Sequence, residues 1–206
     1  MKSLSFGDAL LESIAANLAR LTPVPLEAHG LKRAAVCVVV TADDEGNAAL
    51  VLTRRAEHLS AHAGQFALPG GRVEEGESAL DAARREAREE IGLALPKDAL
   101  LGRLDDYPTR SGYLITPFVA WCAADAPLQP NPSEVASIYR VPLSEFGPGP
   151  EFIEIPESDR PVVRYPLLGT RVHAPTAAVI YQFVEVGLHG RQTRVAHLEQ
   201  PRWAWR

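Results

Sequence analysis

Glu86, Glu89 and Glu90 lie in a stretch, residues 78–91, whose apolar residues recur at helical spacing. Successive residues on a helix turn by about 100°, which puts the three carboxylates within roughly a third of the circumference. Leu80, Ala83, Ala87 and Ile91 form the adjoining apolar stripe that would dock such a helix on a sheet, and Asp81, Arg84 and Arg88 point away from both. Three carboxylates beside a buried stripe repel one another, and the helical wheel gives them no cation on their own face. Carboxylate oxygens are the ligands that hard cations such as Mg²⁺ or Mn²⁺ prefer, so a metal site is one explanation for keeping the repulsion. A solvated acidic helix face is the other, and for three glutamates alone it is the commoner meaning.

The elements that would hold this helix can be read from the same chain. Ser78 at the N-cap with Asp81 three residues on resembles a capping box, and Gly92 sits where a helix stops. Residues 8–21 carry apolar positions at helical spacing, and Thr22-Pro23-Val24-Pro25 ends that helix. The β-branched run 33–40 predicts a central strand, with 48–54 as its partner across the Asp43–Asn47 turn. Residues 56–76 predict a loop with short extended pieces; further strands are predicted at 100–107, 113–123, 151–155 and 161–166, and a last amphipathic helix at 176–187. No repeat or composition break divides the chain. The prediction is one domain over 1–206, an α/β sandwich with a helical extension at 1–30 and a tail at 190–206 that has no clear period.

With 206 residues, 46% hydrophobic and 23% charged, the chain falls in the globular class. The apolar stretch at 34–40 is too short to span a bilayer, and the first residues lack the apolar core of a signal peptide, so a cytoplasmic setting and no membrane partner are expected. A net charge of −5 argues against a nucleic-acid polymer as ligand and leaves a small anionic ligand whose charge metal ions neutralise. Cys37 and Cys122 sit inside apolar runs and read as buried free thiols, and no His or Cys spacing suggests zinc.

The residues around the glutamates carry a resemblance. Gly71, then five residues, Glu77, then seven residues, then Arg85-Glu86-Ala87-Arg88-Glu89-Glu90-Ile91-Gly92-Leu93 matches the Nudix box, which spans 71–93. The resemblance implies an α/β/α sandwich with a central mixed sheet, and diphosphate hydrolysis by attack of water on phosphorus. It makes Glu86, Glu89 and Glu90 ligands of Mg²⁺ or Mn²⁺, and Glu77 and Arg85 the pair that ties the loop to the helix. Gly71 and Gly76 would give that loop its backbone freedom. Glu89, or a carboxylate outside the box, would take the proton from water. Glu134, in Asn131-Pro132-Ser133-Glu134-Val135, is the outside candidate, with a helix N-terminal glutamate as the alternative.

The segment before the box resembles the extra motif of coenzyme A pyrophosphatases at Leu52, Thr53, Arg55, Ala56, Gly64, Pro69, Gly70 and Gly71. That implies substrate contacts from Arg55, His62, Gly64, Gly70 and Gly71. Ser60 stands where the motif has arginine, the residue best suited to a phosphate, so that contact is lost or shifted to Arg54, His58 or His62. His173-Ala174-Pro175 likewise departs from that group's Trp-Gly. Three functions follow: a diphosphatase of coenzyme A or acyl-CoA; a Nudix enzyme acting on ADP-ribose, NADH or another nucleotide; and a non-catalytic nucleotide sensor. The sensor ranks last because every box carboxylate is kept. The expected partner is a small nucleotide, and the terminal helix and tail leave a homodimer open.

Overall fold

A computed structural model describes residues 3–59 and 63–205. Helix α1 spans Asp8–Ala19, followed by strands β1 (Lys32–Ala42), β2 (Ala48–Arg55), β3 (Phe66–Ala67) and β4 (Gly70–Arg72). Helix α2 (Ala79–Ile91) precedes β5 (Leu100–Arg103), β6 (Tyr107–Pro108), β7 (Tyr113–Trp121) and β8 (Val135–Pro142). The chain continues through β9 (Glu151–Ile155), β10 (Ser158–Leu167), β11 (Thr170–His173) and helix α3 (Thr176–Phe183). Among the described residues, β1 to β8 form one sheet with the path β3-β2-β1-β7-β5, and β9 to β11 form an antiparallel three-stranded sheet.

The central sheet is mixed because β1 runs parallel to β7, Lys32 to Val40 against Tyr113 to Trp121, and antiparallel to β2 and β4. A parallel pair covered on both faces needs apolar side chains on both. In β1, Val38 and Val40 enter the larger core, while Cys37 and Val39 enter the smaller core under α2. In β2, Leu50 and Leu52 face the larger core and Val51 the smaller. Ile14 and Leu18 of α1, Ile180 and Phe183 of α3, and Val163 and Tyr165 of β10 fill the larger core. Each such fully buried side chain contributes roughly 1.5–3 kcal/mol by leaving water. This is the expected α/β/α sandwich with a central mixed sheet.

Several predicted elements move. The first helix stops at Ala19, not Leu21, because the Arg20 and Leu21 amides bond to the Asn17 and Leu18 carbonyls and tighten the last turn. The predicted strand 100–107 splits into β5 and β6, because the Asp105 and Asp106 carboxylates turn aside to accept the Val24 and Leu26 amides at 2.8 and 2.9 Å. Residues 135–142, for which no strand is predicted, form β8, which pairs along β2. β11 was also not predicted. The final helix leaves α geometry after Phe183 and closes in a π turn over Val184–Leu188.

Candidate metal and diphosphate site

Ser78 caps α2 by accepting the Asp81 amide, and Gly92 ends it in the left-handed conformation at φ 69°. The buried stripe between these caps is rotated from the predicted one. Ala79, Ala82, Ala83, Ala87 and Ile91 pack on the sheet, whereas Leu80 stays half-exposed. Glu90 lies within that stripe and is only 3% exposed. A carboxylate there needs partners. Its Oε2 accepts the Gly70 amide at 3.0 Å, and Oε1 lies 3.6 Å from Arg55 Nη1.

The glycines that lead into α2 make this approach possible. A Cβ on Gly71 would collide with the Glu86 carboxylate, 2.5 Å from its Cδ, and one on Gly70 would strike the β1 backbone, 2.6 Å from Val36 Cα. Arg85 fastens the loop that follows: it donates to Glu77 through Nε at 3.0 Å and Nη2 at 3.1 Å, and to the Arg72 carbonyl at 2.9 Å. Glu77 in turn accepts the Glu74 amide at 3.0 Å. The bond from Arg85 draws the Glu77 carboxyl below its ordinary range. Arg85 also reaches Glu86 at 2.9 Å and Glu89 at 3.0 Å. The acidic face therefore has a cation, contrary to the helical-wheel expectation, because a long arginine at its edge spans several positions.

Glu134 completes the cluster. One carboxylate oxygen each from Glu86, Glu90 and Glu134 lies within 4.8 Å of the others. Asn131 sets up this meeting. Its side-chain oxygen accepts the Ser133 amide and hydroxyl, its carbonyl accepts the Glu134 amide at 2.9 Å, and its own amide donates to the Glu90 carbonyl at 2.9 Å. The Glu134 carbonyl accepts the Ala56 amide at 2.9 Å, which ties the turn to the end of β2. Glu134 is the last residue of a turn before β8, so the helix N-terminal alternative does not hold. A bulge in the β2–β8 pairing falls between Arg54 and Arg55, where the ladder skips from Ser137 to Val135.

Glu89 stands apart from the three, 45% exposed on its side chain and held by Arg85. Burial raises the Glu90 carboxyl to about 7, against the Gly70 amide and Arg55, with Glu86 and Glu134 adding repulsion. Burial also raises Glu86, partly offset by Arg85. A divalent cation would relieve this repulsion, and an all-oxygen donor set of this kind suits a hard cation. The Arg55 Nε is buried with no hydrogen-bond partner among the described residues, so the guanidinium has donor capacity beside Glu90.

Gly64, at φ 67°, donates its amide to the Arg55 carbonyl at 3.1 Å. His58 Nε2 lies 3.1 Å from the Ser133 carbonyl. Ser60 and His62 lie outside the described residues. Both cysteines are buried and free, and burial raises both thiols, Cys122 to about 11, which removes them as nucleophiles at neutral pH. Sequence reasoning missed Asn131 and the Arg55–Glu90 pair. The Asn-Pro-Ser run at 131–133 is an Asx-turn signal and was readable; the cross-strand pair was not.

A NUDIX domain family model matches residues 31–165, which contain every residue of this site. The chain belongs to the NUDIX domain family. It is 40% identical over 115 residues to proteins named Uncharacterized Nudix hydrolase NudL from Yersinia pestis (strain Pestoides F) and Yersinia pseudotuberculosis serotype O:1b (strain IP 31758). Those matches cover 55% of this chain and 57% of each relative, so the chain spans little more than half the length of the curated relatives it matches. A crystal structure of a MutT/nudix family protein from Enterococcus faecalis shares the fold, with TM-score 0.55 and 13% identity over 88% of this chain and 74% of that one. Among the described residues, no helix is long and apolar enough to cross a membrane.

Proposed function

We propose that this protein hydrolyses the diphosphate bond of a nucleoside diphosphate derivative with the help of Mg²⁺ or Mn²⁺, and that the derivative is coenzyme A or an acyl-CoA. The observation that carries the reading is the convergence of Glu86, Glu90 and Glu134 beside an arginine whose Nε has no partner among the described residues. Glu86, Glu89 and Glu90 of α2 would hold the cation, which leaves the Glu134 carboxylate to act as a base. When bound, such an ion neutralises phosphate oxygens and acidifies water.

The chain's own residues do the rest. Arg55, whose Nε has no partner among the described residues, would donate to a phosphate oxygen, a charge-assisted bond that also orients the anhydride. Gly70 and Gly71 keep the loop backbone close to the carboxylates. Water adds across the P–O–P bond, its oxygen joining one phosphorus while the other phosphate leaves with the bridging oxygen. Glu134 takes the proton in this reading, and Glu89 is the alternative. Coenzyme A would give 3′,5′-ADP and 4′-phosphopantetheine. Support for coenzyme A comes from the pattern Leu52, Thr53, Arg55, Ala56, Gly64, Pro69. A second reading, ADP-ribose, NADH or another nucleotide, is favoured by Ser60, which cannot make a charged contact with a 3′-phosphate. A cytoplasmic setting belongs with either.

Turnover of coenzyme A, dephospho-coenzyme A, ADP-ribose and NADH with each metal tests the proposal. Coenzyme A should show a higher kcat/KM than ADP-ribose, and loss of the 3′-phosphate should penalise dephospho-coenzyme A less than it would in an enzyme with arginine at position 60. Cleavage of ADP-ribose or NADH without coenzyme A moves the substrate. No metal-dependent cleavage of any of the four overturns the hydrolase reading.

A further inference from the structure

Arg54 and Arg55 are neighbours on β2, so their side chains leave the sheet on opposite faces. Arg55 meets Glu90, and Arg54 lines a cleft of about 600 Å³ across the end of the strand. The C-terminal turn and the β10–β11 hairpin form the far wall. Two pairs of rings flank the space: Phe66 against Tyr139 with centroids 5.2 Å apart, and His173 against Trp203 at 5.4 Å, both edge-on. Trp203 is 53% exposed, a large ring presented to solvent.

The charge in this cleft has one sign. Its described lining includes Arg54 and Arg171 but no Asp or Glu, in a chain whose net charge is −5. Arg54 keeps an ion pair with Glu57 at 2.8 Å, outside the lining. Arg171 has less: its Nε lies 3.6 Å from Glu151, which Arg164 already holds at 2.6 Å. One carboxylate serves two guanidiniums, and the surplus charge stands at the cleft. Aromatic faces beside guanidinium groups bind a planar ring that carries phosphate; an acyl chain would leave both cations unmatched.

The turn that carries Trp203 is anchored on either side of it. Glu199 is buried and accepts from Arg110, from the Ser158 hydroxyl at 2.9 Å and from the Gln200 amide at 2.8 Å. Trp205 donates to the Gln200 carbonyl at 2.9 Å and lies 4.9 Å under the Arg110 guanidinium. A ring carried on an anchored turn loses less entropy on binding than one on a loose tail.

We propose that this cleft binds the base and phosphate of a nucleoside phosphate, with Trp203 as a stacking platform and Arg171 and Arg54 as phosphate contacts. It deepens the diphosphatase reading and rests on it for the link to turnover: a diphosphate seated at Arg55 would carry its nucleoside over the end of β2 into the cleft. The binding itself requires no turnover.

The test is isothermal titration with 3′,5′-ADP, 5′-AMP and adenosine in EDTA, using the full chain and the variants Trp203→Ala and Arg171→Gln. The protein should bind 3′,5′-ADP and 5′-AMP, and Trp203→Ala should weaken both about tenfold, the size of one base–aromatic stack. Arg171→Gln should weaken 3′,5′-ADP more than adenosine. Both positions are exposed, and an unchanged Tm checks that each variant folds. Binding of 3′,5′-ADP within twofold of wild type in both variants, or no binding by the wild type, overturns the proposal. If coenzyme A is not cleaved but Trp203→Ala still loses 3′,5′-ADP, the cleft stands and only the coenzyme A reading falls.

Discussion

Glu90 and Glu134 can be separated by what each loses as glutamine. Glu90 is buried against Gly70 and Arg55, so glutamine keeps the shape and removes the charge that a cation would need. Glu90→Gln is predicted to lower kcat at least ~10³-fold at saturating Mg²⁺ with its circular dichroism unchanged, and near-normal turnover contradicts its place in the site. Glu134 makes a different claim. As the base, its glutamine variant loses kcat by ~10²–10⁴-fold and the acidic limb of the pH–rate profile disappears. A lower Tm with an unmoved profile gives Glu134 a turn-forming role and returns the base to Glu89. Glu86, Glu89 and Glu90 were legible because helical spacing puts them on one face. That Glu89 stands aside while Glu134 comes in was not, because the first depends on the reach of Arg85 and the second on a turn formed by Asn131.

At the scale of elements, α2 is the best-signalled piece of the chain. Ser78, Asp81 and Gly92 mark both ends within a residue of where the structure places them. Ser78→Ala removes the acceptor for the Asp81 amide and is predicted to cost about 1 kcal/mol in urea unfolding. If stability is unchanged, packing alone holds the helix start. β8 shows the opposite case. Its residues Val135, Ile138 and Val141 do not alternate, and most of its side chains are half-buried at an edge, so no period of two appears. It exists because β2 offers a partner along its length, a non-local cause. The rotated stripe on α2 has a related origin. Alanines at 79, 82 and 83 let the helix lie close to β1, and a wheel that looks for large residues picks Leu80 instead.

For the whole molecule, the tail from Val195 onward has no period because single contacts hold it. One of them pairs the buried Glu199 with Arg110. Burial pushes the Glu199 carboxyl up, but Arg110, the Gln200 amide and Ser158 pull harder, and the net is a lowered value. A lowered carboxylate stabilises the fold above its unfolded-state value and loses that contribution as pH falls through its folded value. Glu199→Gln is therefore predicted to be less stable than wild type by about 1–3 kcal/mol at pH 7. The gap should close below the ordinary carboxylate range; a gap constant with pH contradicts the ion pair. The proposed reaction is water attack on phosphorus in a bound diphosphate. Coenzyme A treated in ¹⁸O-labelled water with Mg²⁺ tests it most directly, with the products weighed by mass spectrometry. The expected products are 3′,5′-ADP and 4′-phosphopantetheine, with one ¹⁸O in the phosphate of one product and none in the other. Absence of both products, or products without label in either phosphate, contradicts it.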